Sequence, residues 1–246
     1  MIGTSGWSYP HWRGTVYDPG IPAKEWFSCY SRLFNTVELN NTFYRLAPPA
    51  TFKGWREGAP PGFVFALKVS QFGTHRLKLK DPARWLPQFV ERALLLGPHL
   101  GPNLVQLPPR WKRDLGRLAD FLGAACQAGG PERRLRWAIE FRDPSWLDDG
   151  TYELLRGANA ALCCHDLLPE HPWLLTADWA YARFHGPQAT AERYAGEYGA
   201  GGLHPAARKL AEWQQQGCDI YAYFNNDSGG AAVRDAACLA HLLGSG

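Results

Sequence analysis

The stretch that decides the fold is WAIEFRDPSW at residues 137–146, which begins as an apolar strand and ends in charge. Side chains alternate between the two faces of a strand. One face is apolar and carries Trp137, Ile139 and Phe141. The other becomes charged towards its end and carries Ala138, Glu140 and Arg142. Because buried charge is costly unless it is paired, this second face predicts either a polar interior or a functional site.

Further short apolar runs that end in polar residues lie at 2–5, 36–40, 63–68, 103–107, 160–166, 181–185 and 220–225. Amphipathic helical patterns separate most of these runs, and Pro205 is predicted to open the helix that ends at Gly217. The segment 167–180 contains two prolines and no helical period. We therefore expect a loop at that crossover.

Short strands that alternate with helices in this way are typical of a (β/α)₈ barrel. We predict an α/β fold with a single TIM-type barrel domain over residues 1–246 and a poorly helical sixth crossover. A doubly wound open sheet is the alternative, and it fits less well because no G-x-G-x-x-G motif follows the first run.

The composition indicates a cytoplasmic globular protein. Of the 246 residues, 46% are hydrophobic, and no apolar run approaches the roughly 20 residues of a membrane span. The first residues lack the basic and apolar regions of a signal peptide. None of the six cysteines forms a C-x-x-C pair, so reduced cysteines are expected. We expect no membrane association, and the sequence identifies no protein partner.

The net charge of +3 is unevenly distributed along the chain. Residues 1–123 carry 16 Lys and Arg against 8 Asp and Glu, whereas residues 124–246 carry 10 against 15. This polarity is compatible with an anionic partner, either a small molecule or a nucleic acid. Scattered, solvated surface charge is an equally good interpretation.

Polar side chains occupy the predicted carboxyl ends of the strands, where barrels of this type carry their sites. Six of them align at one depth: Glu38, Lys68, Gln106, Glu140, His165 and Arg183. One layer further out come Asn40, Arg142, His185 and Asn225. A structural interior would favour Val, Ile and Leu here, so a pocket is the preferred interpretation. The alternative is a self-satisfied network, for instance Glu38 paired with Lys68 and Glu140 paired with Arg183.

The loops that follow the strands add aromatic and basic residues, a combination that suits a planar or phosphorylated ligand. Candidate ligand contacts in these loops are Trp7, Tyr9, Tyr44 and His75. Tryptophans such as Trp7, Trp12 and Trp146 equally suit hydrophobic clusters under the loops. In the seventh loop, Arg193, Tyr194 and Tyr198 are candidates for a lid.

The loop after the last strand carries Asn226, Asp227, Gly229 and Gly230 and leads into a helix. Glycines at a helix N-terminus allow backbone N–H groups to face an anion, and barrels often hold phosphate at the seventh and eighth loops. Ordinary turn chemistry is the alternative explanation of the two glycines.

The motifs at the strand ends are GTSGWSY at 3–9, ELNNTFY at 38–44, Lys68 followed by Thr74-His75, QLPP at 106–109, Glu140-Phe141-Arg142 with Ser145-Trp146, RFHG at 183–186 and YFNND at 223–227. Together they resemble the YecE-like family, the domain of unknown function 72, over nearly the whole chain. The resemblance implies a TIM-type barrel and assigns no activity. Two positions depart from the family pattern: Asp143 stands where His is expected and Asp235 where Asn is expected. The first departure weakens any mechanism that needs a histidine at the mouth.

The predicted pocket favours an enzyme, with a hydrolase of the phosphodiesterase or nuclease type as the leading class. Its substrate would be anionic and phosphate-containing, with a nucleic acid phosphodiester among the candidates. We assign catalytic roles to Glu38, Lys68, Glu140, His165 and His185. We assign substrate binding to Trp7, Tyr9, Asn40, Tyr44, His75, Gln106, Arg142, Asp166, Arg183, Asn225, Asn226, Asp227, Gly229 and Gly230.

Two other functions remain open at this point: a non-catalytic nucleic-acid or nucleotide-binding protein, and a glycosidase-like hydrolase with paired carboxylates. A divalent metal ion is compatible with the glutamates and histidines at the strand ends. However, no metal-ligand motif demands one, and the neighbouring Lys68 and Arg183 oppose a dense metal cluster. The sequence therefore names no cofactor.

Overall fold

The computed structural model describes residues 1–130, 134–168, 170–189, 192 and 194–244, and in them parallel strands form a barrel surrounded by helices. The strands are β1 Ile2–Thr4, β2 Thr36–Leu39, β3 Val64–Lys68, β4 Leu100–Gln106, β5 Trp137–Glu140, β6 Ala161–His165, β7 Trp179–Phe184 and β8 Asp219–Phe224. Their hydrogen-bonded order runs from β1 through β8 and back down to β2. The predicted (β/α)₈ class is thus confirmed.

The seam between β1 and β2 is closed by a side chain. Within the described residues, no backbone hydrogen bonds join these two strands. Instead, the Tyr30 hydroxyl accepts from the Thr4 amide at 2.9 Å and donates to the Thr36 carbonyl at 2.9 Å. Gly3 permits this approach, because a Cβ there would lie 2.3 Å from the Thr36 oxygen.

The helices that cover the barrel are α1 Trp26–Leu33, α2 Asn41–Tyr44, α3 Pro49–Gly58, α4 Leu86–Leu94, α5 Leu115–Gln127, α6 Asp149–Gly157, α7 Gly199–Gln215 and α8 Ala231–Leu242. Asp114 and Asp148 cap α5 and α6 by accepting from Arg117 and Thr151 amides. The described residues between β6 and β7 form no helix, as predicted. Over the described ranges, no helix has both the length and the apolarity to cross a bilayer.

The predicted start of α7 at Pro205 is wrong, because the helix begins at Gly199 and contains Pro205. The segment before the proline is rich in glycine, a poor helix former, which hid the first turns from the sequence. A tertiary contact supports them: the Asp235 carboxylate on α8 accepts from the Tyr198 amide at 3.1 Å and the Gly199 amide at 3.0 Å. Similarly, β4 begins at Leu100, three residues before the predicted run.

The interior of the barrel has two layers. The layer towards the amino ends of the strands is apolar and contains Trp179, Tyr181, Tyr221 and Tyr223 with smaller residues from the other strands. Arg136 covers it, donating to the Tyr221 hydroxyl at 2.7 Å and to Asp219 at 2.6 Å. The layer towards the carboxyl ends is charged. On β5, Ala138 and Glu140 point into the barrel, while Trp137, Ile139 and the following Phe141 pack in the outer core, as the alternation predicts.

Candidate active site at the mouth of the barrel

Arg183 is the centre of the charged layer. It projects inward from β7 and is 1% exposed. Its Nε and Nη2 donate to the Glu38 carboxylate, the latter at 2.8 Å, and its Nη1 donates to Glu140 at 2.6 Å. One guanidinium on β7 therefore joins two carboxylates from strands that are not adjacent, β2 and β5.

Glu38 is fully buried and fully hydrogen-bonded. Besides Arg183, it accepts from the Ser5 hydroxyl at 2.7 Å and the Tyr181 hydroxyl at 2.6 Å. Burial by itself would raise the pKa of Glu38, but Arg183 and these hydroxyl donors hold that pKa below its usual value. The carboxylate is therefore held ionised.

Glu140 is held in the same way from the other side. Its Oε1 accepts from Nε of Arg142, and its Oε2 accepts from Nη1 of Arg183. Although burial opposes ionisation, the positive charges of Arg142 and Arg183 keep the pKa of Glu140 well below its usual value. A carboxyl in this state is a poor proton donor near neutral pH.

His185 connects these ion pairs to Asp166. Its Nδ1 lies 2.9 Å from Asp166, and its Nε2 lies 3.1 Å from the guanidinium groups of Arg142 and Arg183. Because both guanidinium groups donate to Nε2, the ring proton lies on Nδ1, which donates to Asp166. Burial lowers the pKa of His185, so the ring is neutral. The Tyr198 hydroxyl completes the arrangement by donating to Asp166.

We call this group the sealed network; its members are Glu38, Glu140, Arg142, Asp166, Arg183 and His185. The expected pairing of Glu140 with Arg183 is confirmed, whereas the pairing of Glu38 with Lys68 is wrong. Arg183 satisfies both glutamates because its planar fork reaches them from one side chain.

Lys68, at the end of β3, stays outside the sealed network. Among the described residues, no oxygen lies within hydrogen-bond distance of its Nζ, which sits 4.4 Å from the centre of the Phe43 ring. Burial lowers the pKa of Lys68 to about 8, with Arg183 and Arg142 acting in the same direction. The amine is therefore a half-buried cation whose donors have no acceptor among the described residues.

A cavity of about 550 Å³ opens above Lys68 at the carboxyl ends of β1, β2 and β8. Seven residues assigned to the site from sequence line it: Trp7, Tyr9, Asn40, Tyr44, Lys68, Asn225 and Asp227. Burial raises the pKa of Asp227, whose carboxylate lies 3.2 Å from Nε2 of His11. The Oδ1 atom of Asn40 is buried without a hydrogen-bond partner in the described part of the chain. We call this space the mouth cavity.

His75 lies next to Lys68 across the Phe43 ring, with ring centres of His75 and Phe43 5.0 Å apart. Burial, Lys68 and Arg142 together lower the pKa of His75 to about 4. Gln106 is half-buried at the end of β4, in register with Glu140. Neither residue lines the mouth cavity directly.

His165 has no nitrogen available for chemistry. Its Nε2 donates to the Phe141 carbonyl at 2.7 Å, and its Nδ1 accepts from the Leu167 amide at 3.2 Å. Burial lowers its pKa to about 3, so it is neutral. The ring therefore ties β6 to the end of β5 and does not face a ligand.

The last loop differs from the expected anion site. Gly229 and Gly230 both have positive φ, and Gly230 is buried against Val16 from the first loop. The buried amide of Asn226 donates to the Gly196 carbonyl and to Asp235. None of the three lines the mouth cavity. The glycines thus serve the turn into α8.

The proposed lid residues separate into two groups. Tyr194 is 40% exposed and lines the mouth cavity, whereas the Tyr198 hydroxyl is fixed between Asp166 and the Gly186 amide. Arg193 lies outside the described residues. Trp12 and Trp146 are fully buried under the loops and donate to backbone carbonyls, as the packing interpretation expected.

Asp143, which stands where the family pattern has His, has a local structural role. Its carboxylate accepts from the amide and hydroxyl of Ser145, at 3.0 and 2.7 Å, and lies 3.4 Å from Lys112 Nζ. Asp143 therefore caps the short turn after β5. A metal-binding role for the acidic and histidine residues gains no support, because the described ranges bring together no group of three such donors.

Several residues of the site escaped the sequence analysis: Ser5, Phe43, Tyr181 and Trp55. Tyr181 had a usable signal, since it lies two residues before Arg183 and thus on the same strand face. Ser5 directly follows the first strand. By contrast, nothing local distinguishes Phe43 or Trp55. Phe43 contacts Lys68 from α2, and Trp55 lines the mouth cavity from α3.

Comparison with known proteins places this architecture in a family. The family model described as "Protein of unknown function DUF72" matches residues 1–246. The chain belongs to this family. It is 27% identical to the UPF0759 protein YunF of Bacillus subtilis over 98% of this chain and 94% of the relative. It is 30% identical to the UPF0759 protein YecE of Escherichia coli over 62% of this chain and 52% of the relative.

Solved structures agree with the family assignment. A DUF72 family protein from Thermotoga maritima has a TM-score of 0.86 and 28% identity, covering 99% of this chain and 98% of that chain. A DUF72 family protein from Enterococcus faecalis has a TM-score of 0.79 and 18% identity, covering 98% and 94%. At that lower identity the second likeness concerns the fold. These DUF72 and UPF0759 relatives carry no named activity.

Proposed function

We propose that this DUF72 protein is an enzyme that binds an anionic, phosphate-containing substrate in the mouth cavity. The observation that carries the proposal is Lys68, a half-buried amine that lines the cavity with no acceptor among the described residues. An ammonium group drawn partly out of water without an acceptor loses solvation that the protein does not replace. A phosphate oxygen in the cavity would supply the missing acceptor.

The electrostatic field beside Lys68 supports an anion. The pKa of His75 is lowered to about 4 by its burial and by the positive charges of Lys68 and Arg142. Arg142 keeps 19% of its side chain exposed, although the sealed network holds its guanidinium in place. Lys68 is therefore the proposed anion contact in the mouth cavity, and Arg142 adds positive charge from its place in the sealed network.

Proton transfer is assigned to the cavity wall. Glu38 and Glu140 are held ionised by Arg183, so they position cations in this proposal and do not donate protons. Asp227 lines the cavity, and burial raises its pKa, which suits a general acid or base better. The paired-carboxylate glycosidase has less support, since its general acid needs a raised pKa.

The test combines calorimetric binding of inorganic phosphate with turnover of a panel of phosphate mono- and diesters. We expect Lys68→Met to weaken phosphate binding at least about tenfold, the loss of one charge-assisted contact, and Asp227→Asn to abolish turnover while keeping phosphate binding. Lys78→Met, at an exposed lysine, is the matched control. Equal phosphate affinity of wild type and Lys68→Met would contradict the proposal.

A non-catalytic nucleotide-binding or nucleic-acid-binding protein is the second candidate, and the rim of the cavity favours it. Tyr44 and Tyr194 line the cavity, and 72% and 40% of their respective surfaces are exposed. Exposed aromatic rings stack on bases, each contributing about 1–3 kcal/mol. Tyr44→Ala should then weaken nucleotide binding but not inorganic phosphate binding. Nucleotide binding without turnover of any ester would favour this second function over the first.

A further inference from the structure

We infer that Lys68 is a nucleophilic amine that forms an imine with an aldehyde or ketone group of the substrate. This inference rests on the proposed function for the placement of an anionic substrate in the mouth cavity. The amine itself can be tested separately, because its reactivity does not require a phosphate.

The geometry leaves the nitrogen of Lys68 available. Its Nζ contacts the face of Phe43 at 4.4 Å and makes no hydrogen bond within the described residues. It borders a cavity of about 550 Å³, large enough for a small carbonyl compound. The backbone beneath it is fixed at the end of β3, where the Lys68 carbonyl accepts from the Thr42 hydroxyl at 2.7 Å. A nucleophilic amine needs a nitrogen that no hydrogen-bond partner occupies, held on a rigid element of the fold.

The surroundings favour the neutral amine. The groups that act on Lys68 are Arg183, Arg142, Glu140 and Glu38, with neutral His75 beside it. Burial and the two arginines lower the pKa of Lys68 to about 8, and the two glutamates only partly oppose them. With that pKa, about a tenth of the side chains are neutral at pH 7, against fewer than about one in a thousand for an ordinary lysine.

The reaction balances without an oxidant or reductant. The neutral Nζ attacks the carbonyl carbon, a C–N bond forms, and the carbonyl oxygen takes up the proton that the attacking nitrogen releases. The resulting carbinolamine takes one proton from solvent on its hydroxyl, the C–O bond breaks to release water, and the nitrogen lone pair forms a double bond to carbon. The product is a protonated imine, whose positive charge stays where the lysine charge had been, opposite the negative charges of Glu140 and Glu38.

Reductive trapping tests the inference on the intact protein. Pyridoxal 5′-phosphate, an aldehyde with a phosphate, is added with borohydride, and labelled lysines are identified by peptide mass spectrometry. We expect Lys68 to be labelled at least about tenfold faster than the exposed Lys53 and Lys78 at pH 7 because of its larger neutral fraction. Its labelling rate should reach half its maximum near pH 8. Equal labelling of the three lysines would overturn the inference.

Two controls separate this inference from the proposed function. Pyridoxal, which lacks the phosphate, should also label Lys68 first; if it does so as fast as the phosphate ester, the amine is confirmed and the anion site is contradicted. Lys68→Arg keeps a cation and should retain phosphate binding while losing the fast label. If fast labelling persists in Lys68→Arg, another lysine is responsible and the inference fails. Circular dichroism confirms that the variant is folded.

Discussion

The sealed network and the mouth cavity both bury charge at the carboxyl end of one barrel, yet they treat it in opposite ways. All three guanidinium nitrogens of Arg183 donate to partners in the sealed network. Lys68, at the edge of the mouth cavity, is half-buried and has no acceptor among the described residues. The same fold thus satisfies one cation completely and leaves its neighbour unsatisfied.

This difference indicates where the function lies. A buried charge with every partner in place is a structural unit, and removing one member leaves the others uncompensated. A half-buried charge without a partner reduces stability, and such costs are common where a residue serves function. We therefore propose a scaffolding role for Arg183 and ligand chemistry for Lys68. The following predictions test that division, from the largest expected effect to the smallest.

Breaking the sealed network should have the largest effect. Arg183→Met leaves Glu38 and Glu140 buried without their shared cation. We expect the free energy of unfolding to fall by about 3–5 kcal/mol, as measured by urea denaturation.

The control for Arg183→Met also removes the two carboxylates that this substitution leaves unpaired. The triple variant Glu38→Gln, Glu140→Gln, Arg183→Met should recover part of the lost stability, because neutral amides are cheaper to bury than unpaired carboxylates. A triple variant less stable than Arg183→Met alone would show that the loss reflects packing and not unpaired charge.

Lowering the pH should reduce the folding stability of the protein through His165, which lies next to the sealed network. His165 lies beside His185, with ring centres 6.1 Å apart, and has a pKa lowered to about 3. Between that value and the unfolded value near 6.5, the unfolded chain binds the extra proton, so stability falls as the pH falls through this window. His165→Gln should remove roughly 2 kcal/mol of the stability change between pH 6.5 and pH 4.5. His204→Gln, at an exposed histidine, should leave the change as it is in the wild type.

Removing Lys68 should have the smallest effect on stability and the opposite sign. Its lowered pKa means that its charge costs folding free energy below about pH 8, and this cost disappears as the pH rises towards 10.5. Lys68→Met should therefore stabilise the protein by about 1–2 kcal/mol at pH 7. The gain should shrink above pH 8 when urea denaturation of the two proteins is compared. A destabilised Lys68→Met at pH 7 would mean that Lys68 has a structural role.

Much of the site was predictable from local sequence. Period-two alternation places Glu140 inside the barrel, and the polar ends of the strands place Glu38, Lys68 and Arg183 at the same end. The pairing was not predictable, because strand ends indicate depth but not which side chains reach each other across the interior. The alternative interpretation of the sequence paired Glu38 with Lys68 on the neighbouring strand, whereas the longer planar side chain on β7 reaches both glutamates.

Sequence by itself determined the barrel, because its evidence is periodic: eight runs end in polar residues, and amphipathic patterns separate most of them. It also determined that one end of the barrel would be polar. Only the tertiary structure decided that His165 is tied to backbone, that Gly230 packs against the first loop, and that Lys68 is left unpaired. Hydrogen bonds and desolvation depend on which atoms meet in space, and residues far apart in the chain supply those atoms.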